Sequence, residues 1–336
     1  MIEIIAFLVP VFASFFVTLL IIPVWIKRAR NCNLVGKDVH KIDKRKVSEA
    51  GGVTVLAGFL FGTLIFVAIS TFFFNSTMNF IEIMATLVVM LSVALIGLID
   101  DILGWKVGLS KKLRMVLVAF ASIPLIAINA GRSIVALPFI GPTDIGLVYP
   151  LLLIPIGIVG ASTTFNFLAG YNGQEAGQGI LILSALAIVA YFTGSLWLSV
   201  IALVMIFSLL AFLIFNFYPS RILPGDSLTY MVGALIAVMA ILGNFERIAT
   251  FFFIPYILEI FLKARGKLEK ESFANVKKDG SLELRYKKIY SLNHLMILVL
   301  KKAKIKTTEK RVVYSMWVFQ LIFILLGFLI FKGGIF

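Results

Sequence analysis

Four polar clusters interrupt an otherwise apolar sequence, and their residue types suit one kind of chemistry. The first is Gly97-Leu98-Ile99-Asp100-Asp101-Ile102-Leu103-Gly104-Trp105, with two adjacent carboxylates at the end of an apolar run. Neighbouring helical positions point about 100° apart, so one acid can face a site while the other faces a support. Acids at such a place are costly unless a cation holds them. Lys111 and Lys112 follow in the sequence, as counter-charges or as phosphate binders. The second cluster, 166–179, is a glycine-rich polar loop carrying Asn166, Gly170, Asn172 and Glu175. Glycine lets backbone approach a ligand closely, and the Asn166 amide, inside an apolar run, needs a partner. The third, 216–227, contains Arg221 and then Pro224-Gly225, a turn that sets Asp226 at the start of the next apolar run. Taken alone, Asp226 reads as a helix N-cap. The fourth is the basic loop 36–52 with Lys37, Asp38, Lys41 and Glu49; in isolation it reads as a positively charged membrane anchor.

Together the clusters mean more than each does singly. Separated carboxylates and amide oxygens on one face make a hard, oxygen-rich site suited to Mg²⁺, with Mn²⁺ as the alternative. One cysteine, Cys32, and two histidines make zinc a poor candidate. Acids for a cation, basic groups and glycine-rich backbone beside a bilayer describe a site for phosphorylated substrates. The chemistry would be phosphoryl transfer, in which the protein supplies positioning and charge neutralisation.

The elements that must position these residues are membrane helices. The 336 residues are 60% hydrophobic and 14% charged, with mean hydropathy +1.04, too little polar surface for a soluble domain. The apolar blocks run roughly 17–25 residues, the length that crosses about 30 Å of hydrocarbon. In lipid they must be helices, because nothing else satisfies their backbone groups. The pattern predicts an all-α integral membrane protein, a single unit over 1–336. Its ten expected spans are 3–26, 53–74, 80–99, 112–130, 148–168, 179–194, 196–216, 228–243, 248–263 and 312–332. The first is expected to be a retained span rather than a cleaved leader.

With that count, 28 of the 31 Lys and Arg fall on one side, leaving Arg132, Arg247 and Lys332 on the other. The basic side is therefore expected to be cytosolic and both termini non-cytosolic. Topology, rather than a nucleic-acid partner, accounts for the net charge of +14. The longest polar segment, 264–311, contains Asp279-Gly280 between short strand-like runs, a hairpin signal. A basic amphipathic helix is expected beyond it, between 287 and 306, lying on the membrane surface or covering substrate.

These clusters resemble, in order and spacing, the polyprenyl-phosphate N-acetylhexosamine-1-phosphate transferases (glycosyltransferase family 4). The nearer resemblance is to their archaeal and eukaryotic branch, the UDP-N-acetylglucosamine–dolichyl-phosphate N-acetylglucosaminephosphotransferases. It is carried by Gly36-Lys37-Asp38 with Lys41, by 49–53 and 97–101, and above all by 166–178 and by Asn216-Phe217-Tyr218-Pro219-Ser220-Arg221. The resemblance implies about ten helices with a cytosolic catalytic face, and transfer of GlcNAc-1-phosphate from UDP-GlcNAc to dolichyl or another polyprenyl phosphate, releasing UMP. It implies Mg²⁺ on Asn166 and Asp226, and Asp100 or Asp101 orienting or deprotonating the lipid phosphate. Asn172 and the backbone near Gly170 are similar to the uridine-recognition segment, and Lys111 or Lys112 to the lysine near the phosphates. Lys37, Asp38, Glu49, Glu175, Arg221 and Arg265 complete the substrate-binding expectation. Membrane lipids are further partners, a homodimer is compatible with the pattern, and the archaeal cell membrane is favoured over the endoplasmic reticulum.

One departure stands out. Where family members carry an Arg- and His-rich sugar-recognition stretch, this chain has Lys267-Leu268-Glu269-Lys270-Glu271-Ser272-Phe273. The nearest basic candidates are Lys263, Arg265 and Lys267. Paired histidines typical of the bacterial MurNAc-pentapeptide and enterobacterial-antigen transferases are absent. The alternatives are the same reaction with another UDP-HexNAc donor, or a multi-pass lipid or solute transporter. A transporter would place its polar residues near mid-membrane in broken helices, whereas here they gather at one mouth.

Overall fold

The computed structural model describes residues 2–43, 45–104, 107–137 and 141–333; Trp105 of the acidic segment lies outside them. In chain order the helices are α1 (Ile2–Asn31), α2 (Gly52–Phe74), α3 (Phe80–Leu103), α4 (Lys111–Ala121), α5 (Ile123–Ala127), α6 (Ile154–Phe167), α7 (Gln174–Phe192), α8 (Leu196–Asn216), α9 (Gly225–Gly243), α10 (Glu246–Phe252), α11 (Ile254–Arg265), α12 (Leu292–Lys302) and α13 (Glu309–Ile330). Eight helical segments of the described residues are long and apolar enough to cross a bilayer. The bundle turns large apolar side chains outward, among them Leu20, Phe72, Leu325 and Leu329, which is stable only where lipid replaces water.

Two expected spans differ from the pattern. The stretch at 112–130 is divided into α4 and α5, and that at 248–263 into α10 and α11. Both second halves carry proline in their first turn, Pro124 and Pro255. Proline has no N–H to bond the preceding turn, so the helix restarts there.

At the centre stands α9, packed against α3 and α6 and touching α2 and α7. Every residue from Ser227 to Ile241 is buried, so the body of α9 is held by its neighbours while its first residues, Gly225 and Asp226, open onto the site. Gly97 of α3 packs directly on the head of α9: a Cβ there would lie 2.4 Å from Ser227 N. The interhelical loops are stitched around it. Strands β1 (Val35–Lys37) and β2 (Lys46–Ser48) form an antiparallel hairpin with Val35 opposite Ser48. The Leu223 N–H donates to Ser48 O at 2.7 Å, and the Gly51 N–H donates to Leu223 O at 3.0 Å. A second hairpin, β3 (Ile134–Leu137) with β4 (Gly141–Asp144), lies between α5 and α6.

In the last long loop, β5 (Asn275–Val276) pairs antiparallel with β6 (Leu282–Glu283). The amphipathic helix is shorter than 287–306, and much of its apolar face is covered by protein. In α12, Leu292, Met296, Ile297 and Leu300 are buried in the protein, together with Asn293 and His294. The helix packs on α11 and α13, and its Leu292 N–H donates to Glu259 Oε2 at 2.7 Å. Most of the apolar stripe is thus covered by neighbouring helices, while Val299 remains exposed.

Candidate functional site

The polar clusters converge on one cavity of about 890 Å³. Its walls include Lys37, Asp38, Glu49, Asp100, Asp101, Lys111, Asn166, Gly170, Asn172, Glu175 and Asp226. Lys112, Arg221 and Arg265 do not line it: all three are exposed, and the Arg265 guanidinium lies 5.9 Å over the Tyr290 ring.

The adjacent acids divide their roles as helical geometry allows. Asp101 turns to the head of α9, where it accepts from the Asp226 N–H at 2.7 Å, the Ser227 N–H at 3.3 Å and the Ser227 hydroxyl at 2.9 Å. It caps a helix of another segment, satisfying N–H groups that have no intrahelical partner. Gly225 permits this: its φ is +71°, and a Cβ would come within 2.3 Å of Asp101 Oδ2. Asp226 itself is no N-cap. It lies in the first turn of α9 and the capping position is Pro224, so its carboxylate is free to face the cavity.

Asp100 turns to the opposite wall. Its Oδ1 accepts from the Leu109 N–H at 2.6 Å, and its Oδ2 from Arg114 Nη1 at 2.8 Å. The same nitrogen donates to Asp226 Oδ2 at 2.9 Å. Asn166 Nδ2 donates to Asp226 Oδ1 at 2.6 Å and to Thr229 Oγ1 at 2.9 Å. Arg114, rather than Lys111 or Lys112, is thus the cation between the acids. Lys111 Nζ instead donates to Leu268 O at 2.7 Å, across the mouth. The spacing holds a signal for this: Arg114 follows Lys111 by three residues, so both lie on one helix face, while Lys112 points away. Asp226 and Asn166 are the oxygen donors able to hold a small hard cation. Among the described residues no group of three His, Cys, Asp or Glu is arranged for a metal.

At the other end of the cavity the glycine-rich loop is held by acids. Glu175 Oε1 accepts the Gly170 N–H at 2.5 Å, so this acid shapes the loop. The Asn172 N–H donates to Glu309 Oε1 at 2.9 Å, and its Nδ2 to Asp38 Oδ2 at 3.0 Å. Lys41 closes the network, pairing with Asp38 at 3.3 Å and with Glu309. Glu309, at the start of α13, is not legible in sequence, since an acid at a span end ordinarily faces water. Glu49 forms part of the same wall, and burial raises its pKa above the ordinary value.

The chain's two histidines grip a single peptide group. The Ala274 N–H donates to His40 Nε2 at 3.2 Å, and His294 Nε2 meets Phe273 O at 3.2 Å. His294 Nδ1 accepts from the Tyr290 N–H at 3.4 Å, so its Nε2 carries the proton. Phe273, fixed by this clamp, reaches the cavity wall and lies over Gly170. His40 is buried and stacked 4.0 Å from the Tyr171 ring. Its pKa is lowered to about 3, first by burial and then by Lys41, against a raising hydrogen bond to Gly170. Burial likewise lowers that of His294.

The bundle and the oxygen-rich polar mouth among its described residues define a multi-pass helical membrane protein. The model for glycosyl transferase family 4 matches residues 83–244. A Saccharolobus solfataricus protein provisionally named a UDP-N-acetylglucosamine–dolichyl-phosphate N-acetylglucosaminephosphotransferase is 37% identical, over 96% of this chain and 95% of that protein. A similarly named Sulfolobus acidocaldarius protein is 30% identical over 97% of each chain. The Dictyostelium discoideum enzyme of that name is 29% identical over 74% of this chain and 69% of its own. The chain belongs to glycosyl transferase family 4, in its UDP-N-acetylglucosamine–dolichyl-phosphate N-acetylglucosaminephosphotransferase branch.

Proposed function

We propose that the chain transfers N-acetylglucosamine 1-phosphate from UDP-GlcNAc to dolichyl or another polyprenyl phosphate, giving the lipid-linked diphosphate sugar and UMP. The observation that carries this is the Arg114 guanidinium held between Asp100 and Asp226, with Asn166 beside it, at one mouth of the bundle. Six carboxylates of the cavity wall (Asp38, Glu49, Asp100, Asp101, Glu175 and Asp226) face three cationic side chains, Lys37, Lys111 and Arg114. Such a wall repels phosphates unless further positive charge enters with them. Asp226 and Asn166 would hold Mg²⁺, which when bound would supply that charge and polarise the phosphates.

In the reaction an oxygen of the lipid phosphate attacks the phosphorus that bears the sugar. The new P–O bond joins the two phosphates, the bond to the bridging oxygen breaks, and UMP leaves with that oxygen. Asp100, beside the guanidinium, orients the entering lipid phosphate, and Arg114 neutralises charge as it gathers on the reacting phosphates. Lys111 stands at the mouth near the donor. The α4–α5 and α10–α11 pairs complete ten membrane crossings, with the site on the cytosolic side of a cell membrane.

The test is incubation of purified protein with Mg²⁺, labelled UDP-GlcNAc and dolichyl phosphate, followed by extraction of lipid-linked label. No labelled lipid product would overturn the reading. Running UDP-GalNAc and other UDP-HexNAc donors in competition identifies the donor, and label carried across vesicles without a new diphosphate linkage would identify a transporter.

A further inference from the structure

Asn172 is held in one orientation by a network that the transfer chemistry does not use. Its side-chain Nδ2 donates to Asp38 Oδ2 at 3.0 Å, and its backbone N–H donates to Glu309 Oε1 at 2.9 Å. Asp38 and Glu309 are both buried and share Lys41 between them. The two acids come from opposite ends of the chain, one in the first interhelical loop and one at the start of α13. Asn172 lines the cavity beside Gly170, Tyr171 and Phe273, where a flat backbone and an aromatic ring offer faces to a planar ligand.

An unrestrained asparagine amide presents either oxygen or nitrogen to a ligand, because a half-turn of the group exchanges them. This one cannot exchange without cost. The half-turn would bring Asn172 Oδ1 against Asp38 Oδ2, two acceptors at hydrogen-bond distance inside a buried network. The side chain therefore offers the cavity an acceptor, Oδ1.

We propose that Asp38 is a specificity-determining positioning residue, which locks Asn172 so that the site takes a nucleobase with a ring N–H donor and rejects one with a ring acceptor. Uracil presents N3–H between two carbonyl oxygens, whereas cytosine presents an unprotonated N3. A cytosine nucleotide would set its N3 lone pair against Asn172 Oδ1, and a polar site left mispaired discriminates strongly. The inference rests on the nucleotide-sugar reading above and names the residue that enforces its base.

The experiment measures UMP and CMP binding to the full-length protein in detergent with Mg²⁺, by calorimetry, for the native chain and for Asp38→Asn and Asp38→Ser. Each replacement can donate as well as accept, so Asn172 becomes free to turn. The native protein is expected to favour UMP over CMP by about 10- to 100-fold, and both variants are expected to lose at least tenfold of that ratio. A general loosening of the fold would weaken both nucleotides together and leave the ratio in place. An unchanged ratio in a folded variant overturns the inference while leaving the transferase reading intact. Equal binding of the two nucleotides to the native protein overturns it without any variant. Binding of neither removes the nucleotide reading itself, and the inference with it.

Discussion

Arg114 and Asp226 meet at 2.9 Å although 112 residues separate them, and the same guanidinium nitrogen holds Asp100 at 2.8 Å. One cation thus links the acid at the end of α3 with the acid at the head of α9. Its side chain rises from the first turn of α4 and also meets the Tyr230 hydroxyl. A guanidinium so placed does two things: it keeps two carboxylates near each other, and it faces the phosphates that a transferase must bind.

Replacing Arg114 with alanine is therefore expected to lower kcat/KM by about 100- to 1,000-fold. Arg114→Lys should recover part of the loss, since an ammonium supplies charge but on a shorter side chain and without the further N–H groups of the planar guanidinium. Alanine at Lys112, which is exposed and outside the cavity, should change activity less than threefold. A comparable loss at Lys112 would return the role to the lysines first suggested by the sequence.

The acid pair should separate in its phenotypes. Asp101 accepts three hydrogen bonds from the head of α9, so Asp101→Ala is expected to lower thermal stability by about 1–2 kcal/mol as well as activity. Asp100→Asn should remove activity while leaving the melting temperature in detergent nearly unchanged. If Asp100→Asn melts as early as Asp101→Ala, the division of roles between neighbours is wrong.

Gly225 offers a sharper test of the same junction. With φ at +71° and Asp101 Oδ2 only 2.3 Å from any added Cβ, Gly225→Ala is expected to cost about 1–3 kcal/mol. It should also displace Asp226 from Asn166. The checks are thermal unfolding and the Mg²⁺ concentration needed for half-maximal activity, which should rise.

Much of this site was legible because lipid makes polar residues conspicuous. Asp100, Asp101, Asn166 and Asp226 each break an apolar run, and a buried polar group in such a run demands a partner. The sequence order could not say which partner. Lys111, Lys112 and Arg114 occupy one helical turn, and only the direction in which α4 leaves the loop after Gly108 decides which of them reaches Asp100. Arg221 and Arg265 looked equally suitable, yet both remain outside the cavity. Glu309 and the histidine clamp were hidden for a different reason. Their partners lie 137 residues away for Glu309 with Asn172 and 234 for His40 with Ala274, and such contacts exist only once the loops are assembled. The amphipathic period of α12 was readable, but periodicity alone does not distinguish a lipid surface from α11 and α13 as the covering partner.

The histidine clamp makes stability depend on pH. His40 must remain unprotonated at Nε2 to accept the Ala274 N–H, and burial beside Lys41 lowers its pKa from 6.5 to about 3. A histidine depressed in the folded state binds fewer protons than in the unfolded chain throughout the interval between those values. Its contribution is therefore fully present above pH 6.5 and is lost progressively as pH falls towards 3. From pH 8 to 5.5 the loss from His40 alone is on the order of 1 kcal/mol. Thermal unfolding in detergent across that range should show the fall. His40→Gln replaces the ring with an amide whose oxygen can still accept from Ala274 and does not titrate. That variant should be less stable at pH 8, because the stacking on Tyr171 is gone, but its melting temperature should change less between pH 8 and 5.5. Equal slopes for the two proteins would assign the acid sensitivity to other groups.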